Sequence, residues 1–208
     1  MNIIQPGIIG LSGYGRSGKD TSLELLNESL VESGLVAYQK MSLADAVKSD
    51  LAFCIKRAEA LYFKDRDRNS ERAKDSFKQM LRPLFETYAT DLIRGLDKNA
   101  WIDLAEMSMK YIEASSDKQI RWAFTDVRYG NEFTHIHDRG GAVFLIVRPG
   151  EGPKGEREQQ GAEEIRKLVN KNEKMRDSLI VVINNGDKKK LKKKLFEEYL
   201  NRFAKCNG

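Results

Sequence analysis

Cysteine is nearly missing from this chain: Cys54 and Cys206 are the 2 present, far apart in sequence. That excludes a disulfide framework and a cysteine-built zinc site, and makes a reducing cytoplasm the expected compartment. Histidine is as scarce, with 2 residues, His135 and His137. Two positions apart on a helix they point to different faces, so a surface role is expected rather than a metal site. No apolar run approaches the roughly 20 residues that span a bilayer, and no basic segment precedes the first short apolar run. A membrane span and a secretory signal are therefore not expected. Neither sign of charge dominates either: 36 basic against 31 acidic residues leave +5, which suits anionic ligands without selecting nucleic acid. The one low-complexity run, KKKLKKKL at 188 to 195, reads as a solvated helix face, and no stable nucleic-acid binding is expected.

What the chain does have is a globular composition, 40% hydrophobic and 32% charged over 208 residues. That length fits one α/β domain with an inserted lobe better than two separate cores. Its central stretch is GIIGLSGYGRSGKDT, residues 7 to 21. A buried strand over residues 7 to 12 runs through a glycine-rich loop into a helix that Lys19 opens. Such a turn gathers unpaired backbone N–H groups and the positive end of a helix dipole around one point, which suits phosphate oxygens. Gly13, Gly15 and Gly18 permit close backbone approach, Arg16 and Ser17 complete the loop, and Lys19 sits where a P-loop lysine reaches the β and γ phosphates of ATP. Asp20 stands where Ser or Thr usually offers Mg²⁺ a hydroxyl. A carboxylate beside phosphates is repelled, so Asp20 is expected to point outward and Thr21 to face them.

Downstream, residues 19 to 33 read as an amphipathic helix closed by Gly34, and residues 35 to 41 as a second strand. A helix is expected to start at Ser42. Residues 63 to 78, FKDRDRNSERAKDSFK, read as a solvated excursion. Helical spacing returns to Leu96 through Met80, Leu81, Leu84, Phe85, Tyr88, Leu92 and Ile93, with Pro83 starting or bending that helix. A further helix over 99 to 114 carries Trp101, Leu104, Ala105, Ser108 and Tyr111 on one side. Strands are expected at 119 to 125, 142 to 147 and 179 to 184. Helices are expected at 131 to 138 and 188 to 203, with a mobile segment over 150 to 161. About 80 residues between the second and third strands exceed a plain crossover, so they form an inserted helical lobe. The alternation of strands and helices indicates α/β architecture, a parallel sheet covered on both faces.

Ligands in such sheets bind at the carboxyl ends of strands. Phosphoryl transfer asks for a metal-holding acid there and for cations that take up transition-state charge. Asp126 ends the third expected strand and is the candidate Mg²⁺ carboxylate. Arg128 and Arg148 leave neighbouring strand ends, and Arg82 and Arg94 lie in the helical lobe, where their planar guanidinium groups can grip phosphate.

Four blocks, LSGYGRSGKDT near the start, ATDLIRGLDKNAWID at 89 to 103, FTDVRYGNEF at 124 to 133 and AVFLIVRPG at 142 to 150, followed by VVINNGD, make the sequence resemble the bacteriophage deoxynucleoside monophosphate kinases, a branch of the P-loop nucleoside monophosphate kinases. The resemblance implies a P-loop NTPase three-layer fold with a five-stranded parallel sheet, a single domain over 1–208, a helical acceptor-binding insertion over 43–115 and a lid over 150–165. It implies transfer of the ATP γ-phosphate to a dNMP with Mg²⁺, giving dNDP and ADP. Lys19, Asp126, Arg128 and Arg148 are the implied catalytic set, and Gly13, Gly15, Arg16, Ser17, Gly18, Lys19, Asp20 and Thr21 the ATP loop. Arg82, Arg94, Asp91 and Trp101 are the implied acceptor contacts, Arg157 a lid cation, and Asp126 and Thr21 the metal partners. It also makes Asp20 a family feature. The segment after RPG, EGPKGEREQQGAEE, departs from the His and acidic pattern of the relatives.

Two other readings stand beside this one: a P-loop kinase for another small phosphorylated acceptor, such as phosphomevalonate or dephospho-coenzyme A, and a nucleotide-dependent binding module. Base choice, ribose against deoxyribose and oligomeric state stay open, with a homodimer allowed. The expected location is the cytoplasm, that of the host if the chain is phage-encoded.

Overall fold

The structure is a computed structural model that describes residues 2 to 205, so Cys206 lies outside the described residues. The chain divides into two compact units, one formed by residues up to Met41 and from Tyr111 onward, the other by Ser42–Lys110.

In the first unit the strands are β1 (Asn2–Ile3), β2 (Ile8–Ser12), β3 (Gln39–Met41), β4 (Trp122–Val127), β5 (Val143–Val147), β6 (Leu179–Ile183) and β7 (Ala204–Lys205). Five of them form a sheet in the order β3-β4-β2-β5-β6. All four pairings within it are parallel. A parallel neighbour requires a crossover, so each face of the sheet must be covered by the connecting helices. The central strand is accordingly buried throughout, all five residues of β2, while the edge strands β3 and β6 keep exposed positions. β1 and β7 pair separately as an antiparallel ribbon that sequence periodicity does not reveal.

One sheet face carries α1 (Lys19–Glu32) and the closing helix, α10 (Lys188–Phe203). Leu23, Leu26 and Leu30 of α1 and Leu191, Leu195 and Tyr199 of α10 interlock over Ile9, Leu11, Ala123, Phe144 and Val182. Lys192, from the lysine-rich run, bridges Glu28 and Glu32 across the α1–α10 seam at 3.1 and 2.7 Å. The opposite face carries α7 (Gly130–Asp138), whose Phe133 and Ile136 are fully buried. Gly10 is the concession there: a Cβ would lie 2.6 Å from Ile136 Cδ1. α8 (Glu156–Lys171) and the short α9 (Glu173–Asp177) follow β5. This is a three-layer α/β fold with a five-stranded parallel sheet.

The second unit is helical: α2 (Leu43–Asp50), α3 (Ala52–Tyr62), α4 (Glu71–Glu86), a π-helical segment (Thr87–Ile93), α5 (Arg94–Leu96) and most of α6 (Ala100–Ala114). Phe63, Phe77 and Leu81 form its small core with Ile55, Ala58, Ala73 and Phe85.

Several expectations need correction. The second strand shrinks to three residues because the backbone before it is held by side chains: Val36 N–H donates to Gln5 Oε1 and Tyr38 N–H to Asn27 Oδ1. The helix from Ser42 is broken at Leu51. Residues 63 to 78 are no loop from Glu71 on, since α4 starts there with Ser70 Oγ accepting from Ala73 N–H. Pro83 lies inside α4, and four residues later the backbone passes into wider π-type turns. On α6 the buried residues are Trp101, Ile102, Ala105 and Met109, while Tyr111 is exposed. The mobile segment is half helix, because α8 begins at Glu156. Both histidines are half-buried rather than fully exposed: His135 stacks on Phe124 and His137 Nδ1 lies 2.8 Å from Ser178 Oγ. Among the described residues no helix is long and apolar enough to cross a membrane.

The packing predicts a contrast between two aliphatic residues. Leu195, fully buried between α10 and the sheet, should cost about 2–5 kcal/mol of unfolding free energy when replaced by Ala. Val181, 50% exposed on β6, should cost under about 1 kcal/mol when replaced by Ala. Urea denaturation of both variants checks this, and equal losses would contradict the face assignment.

Candidate phosphate-binding site

The glycine-rich loop leaves β2 at Ser12 and enters α1 at Lys19. Its path needs left-handed backbone at Gly13 (φ +138), Arg16 (φ 67) and Gly18 (φ +96). Two of these positions also lack room for a side chain. A Cβ at Gly13 would lie 2.4 Å from the Ile146 carbonyl oxygen, and one at Gly18 2.7 Å from Asn184 Nδ2. Asn184, which follows β6, donates from Nδ2 to the Ser17 carbonyl at 2.9 Å and from its backbone to the Val147 carbonyl at 2.7 Å. One asparagine thus ties the loop to the end of β5.

Lys19 closes over the loop, donating from Nζ to the carbonyls of Gly13 at 2.7 Å and Tyr14 at 3.0 Å. Burial lowers its pKa from the ordinary lysine value, and the Arg128 guanidinium lowers it further. The carboxylates of Asp20, Glu158 and Asp126 pull the other way. A half-buried ammonium beside an arginine is electrostatically uncomfortable until an anion arrives, which is the condition a phosphate site needs.

The sheet brings further cations to the same place. A cleft of about 280 Å³ is lined by Ser12, Gly13, Tyr14, Gly15 and Lys19, by Arg128 beyond β4, by Arg148 beyond β5, and by Glu151 and Glu158. Its apolar wall is made by Val127, Leu145, Val147 and, from α8, Ala162 and Ile165. Arg16 is exposed at the loop's tip, and Ser17 is 1% exposed with a hydroxyl that lacks a partner among the described residues. Asp20 points outward to an ion pair with Lys40. Thr21 is half-buried one residue further along α1. Asp126 is half-buried in the last turn of β4, where the strand carries a bulge: Gly10 pairs with Phe124 but Ser12 with Val127, one residue more on β4 than on β2. A bulge re-aims the side chains beside it. Thr21, Asp126 and Arg157 are near the cleft in sequence but are not among its lining residues.

Two participants escaped the sequence. Lys154, between β5 and α8, has its Nζ 3.6 Å from where a Cβ on Gly15 would stand, so this amine lies against the phosphate loop. The Lys154 backbone N–H is held by Glu158 Oε2 at 2.9 Å. Asn184 is the other, and only its place in VVINNGD hinted at a role.

The acceptor candidates all belong to the Ser42–Lys110 unit. Arg82 Nε pairs with Glu86 at 2.7 Å, and Arg94 donates to the Lys98 carbonyl at 3.2 Å. Asp91 is exposed on the π-helical segment. Trp101 is 4% exposed, its Nε1–H donating to the Ala89 carbonyl at 3.1 Å, so it braces that segment from inside and offers no open ring face.

A nucleotide fits these residues: glycine positions that a Cβ would fill form the cradle, and a lysine and two arginines supply positive charge. Mg²⁺ asks for hard oxygen donors; the carboxylates that line the cleft are Glu151 and Glu158, while Asp126 acts on Lys19 through its charge and Thr21 follows the loop on α1.

Lys19→Met is expected to abolish detectable Mg·ATP binding by calorimetry while the circular dichroism stays that of the native protein. Its pH signature follows from the lowered pKa. Below the unfolded-state value of 10.5 the unfolded chain holds a proton on Lys19 that the folded protein has begun to release. Ligand-free stability therefore gains from Lys19 as pH rises through that window, and Lys19→Met should remove the gain in urea titrations at alkaline pH.

No protein-family model and no curated protein matches this chain. Among solved structures, a dephospho-CoA kinase from Campylobacter jejuni is similar to it at 14% identity and a TM-score of 0.35, over 93% of this chain and 95% of that one.

Proposed function

We propose that this chain is an ATP-dependent phosphotransferase that passes the γ-phosphoryl group to a deoxynucleoside monophosphate. The observation that carries it is the cleft in which Lys19, Arg128 and Arg148 meet a glycine loop that has no space for a side chain at Gly13 or Gly18. A phosphate chain laid on that loop has amide N–H groups along it, and cations on the side where charge spreads during transfer. The acceptor assignment is supported by the four sequence blocks shared with the bacteriophage enzymes.

In this reading the loop amides and Lys19 bind the β and γ phosphates. Lys19 must exchange its hydrogen bonds to the Gly13 and Tyr14 carbonyls for phosphate oxygens, which keeps the empty loop closed and the ammonium placed. Arg128 and Arg148 take up negative charge as the bond from the γ phosphorus to the β-phosphate bridging oxygen breaks and a bond to an oxygen of the acceptor monophosphate forms. ADP leaves with the bridging oxygen. Asp126, with Thr21, would hold Mg²⁺, which when bound offsets phosphate charge and orients the chain. Asp20, tied outward to Lys40, keeps its charge away from the phosphates. Lys154 adds a cation from the segment after β5. The acceptor is assigned to the Ser42–Lys110 unit, with Arg82, Arg94 and Asp91 as its polar contacts. Dephospho-coenzyme A and phosphomevalonate are the competing acceptors, and a nucleotide-dependent binding module is the non-enzymatic one.

The test is ADP release with Mg·ATP against each dNMP, each NMP, dephospho-coenzyme A and phosphomevalonate. Transfer to at least one dNMP is expected. Transfer only to another acceptor would move the chain to that kinase class, and ATP binding with no transfer at all would make it a binding module.

Asp126→Asn should lose Mg²⁺-dependent transfer by about 100-fold or more, with ATP affinity changed far less, because the loop and Lys19 still hold the phosphates. Arg94→Ala should raise the acceptor KM and leave the ATP KM near wild type. Steady-state kinetics with each substrate varied in turn separates the two effects.

A further inference from the structure

Arg128 sits at the cleft, but its own backbone is held from elsewhere. Glu132 is 4% exposed, a buried carboxylate within the first turn of α7. Its Oε2 accepts from the backbone N–H of Arg128 at 2.7 Å and of Tyr129 at 3.1 Å. Those bonds hold the amide side of the Arg128 turn. Its carbonyl side faces Gly161 of α8, where a Cβ would stand 2.3 Å from the Arg128 oxygen and 3.2 Å from its carbonyl carbon. Only glycine lets α8 approach this closely, and the clash would be with rigid backbone rather than a movable side chain. One turn further along α8, Glu164 Oε2 accepts from Gly130 N–H at 3.2 Å.

A helix cap explains one of these contacts but not all of them. Glu132 at the third position of α7 satisfies N–H groups that any helix N-terminus leaves unpaired. The Gly161 contact lies on another element, has no capping purpose, and falls on the residue whose side chain reaches the phosphate loop. α8 also carries Glu158, Ala162 and Ile165 into the cleft wall, on the helix that begins two residues after Lys154.

We propose that Glu132 and Gly161 are positioning residues for Arg128: they clamp its peptide groups from α7 and α8, so that its guanidinium is aimed at the transferring phosphoryl group. This rests on the phosphotransferase reading. The clamp also links the helix after β5 to the arginine after β4, so a displacement of α8 is felt at Arg128. Neither residue touches the nucleotide. Each acts through the arginine, and pre-orientation of a charged group is worth much of its effect in the transition state.

The experiment is a double-mutant cycle: Gly161→Ala and Glu132→Ala, each made in the wild-type and Arg128→Ala backgrounds, with Glu132→Gln as the conservative variant and Leu195→Ala as a stability control on the other face of the sheet. kcat and the ATP KM are measured with the best acceptor, and Mg·ATP affinity by calorimetry. Gly161→Ala is expected to lower kcat by about 10–100-fold with the ATP KM little changed, and to cost almost nothing more once Arg128 is alanine. Glu132→Gln keeps an oxygen for the two N–H groups and should retain most of the turnover that Glu132→Ala loses. Leu195→Ala should lower the Tm without moving kcat. Additive losses in the Arg128→Ala background, or unchanged kcat in Gly161→Ala, would overturn the clamp; if Glu132→Ala does not fold, the Gly161→Ala and Glu132→Gln arms decide alone. A wild type that binds Mg·ATP but transfers to no acceptor would overturn the phosphotransferase reading instead. The same cycle read in ATP affinity then decides the clamp, with non-additive weakening supporting it and additive or absent weakening overturning it. A wild type that does not bind Mg·ATP overturns both.

Discussion

The path of the backbone between Ser12 and Lys19 is the constraint on which the rest of the larger unit depends. Left-handed residues at Gly13, Arg16 and Gly18 turn the chain tightly enough to leave its amides facing inward. Such a turn is not stable in isolation. It is held by Lys19 across its mouth and by Asn184 on its flank, and the end of β5 packs so closely that Gly13 cannot carry a side chain. The loop conformation is therefore a property of three strand ends acting together.

The electrostatics follow from that geometry. A lysine drawn down onto the loop is partly desolvated and lies within the field of Arg128, and both effects disfavour its charge. Asp20, Glu158 and Asp126 offset some of that cost, and Asp20 is also paired with Lys40 at the surface. Positive charge held under mild destabilisation is ready to gain from a phosphate, and the neighbouring carboxylates moderate that destabilisation. Acid at the helix start thus costs the site little, because its partner lies outside.

The helical unit illustrates how a polar stretch conceals structure. From Phe63 to Lys78 the sequence is almost all charge, yet Phe63, Ala73, Phe77 and Leu81 suffice for a small core, with Tyr62, Phe63 and Phe77 rings 5.0–5.5 Å apart. Few apolar residues at the right spacing outweigh the average composition of a window. Pro83 lies inside α4 without ending it, and the wider turns begin four residues later.

The sequence by itself determined the strand–loop–helix at the start, the parallel architecture and the arginines that leave strand ends, because each is a local pattern: an apolar run, glycines at fixed spacing, a charged residue after a strand. Strands β2, β5 and β6 and helices α1, α7 and α10 fall within a residue or two of their expected bounds for the same reason. It could not determine what depends on residues distant in the chain. The bulge beside Asp126 exists only because β4 pairs with β2, and the second strand is short because Gln5 and Asn27 claim the backbone before it. Lys154 lies against the glycine loop through a contact between residues far apart in the chain. Gly161 and Glu132 read as ordinary helix residues until tertiary packing sets one against the carbonyl of Arg128 and the other against its amide, contacts between elements that no periodicity within either one contains.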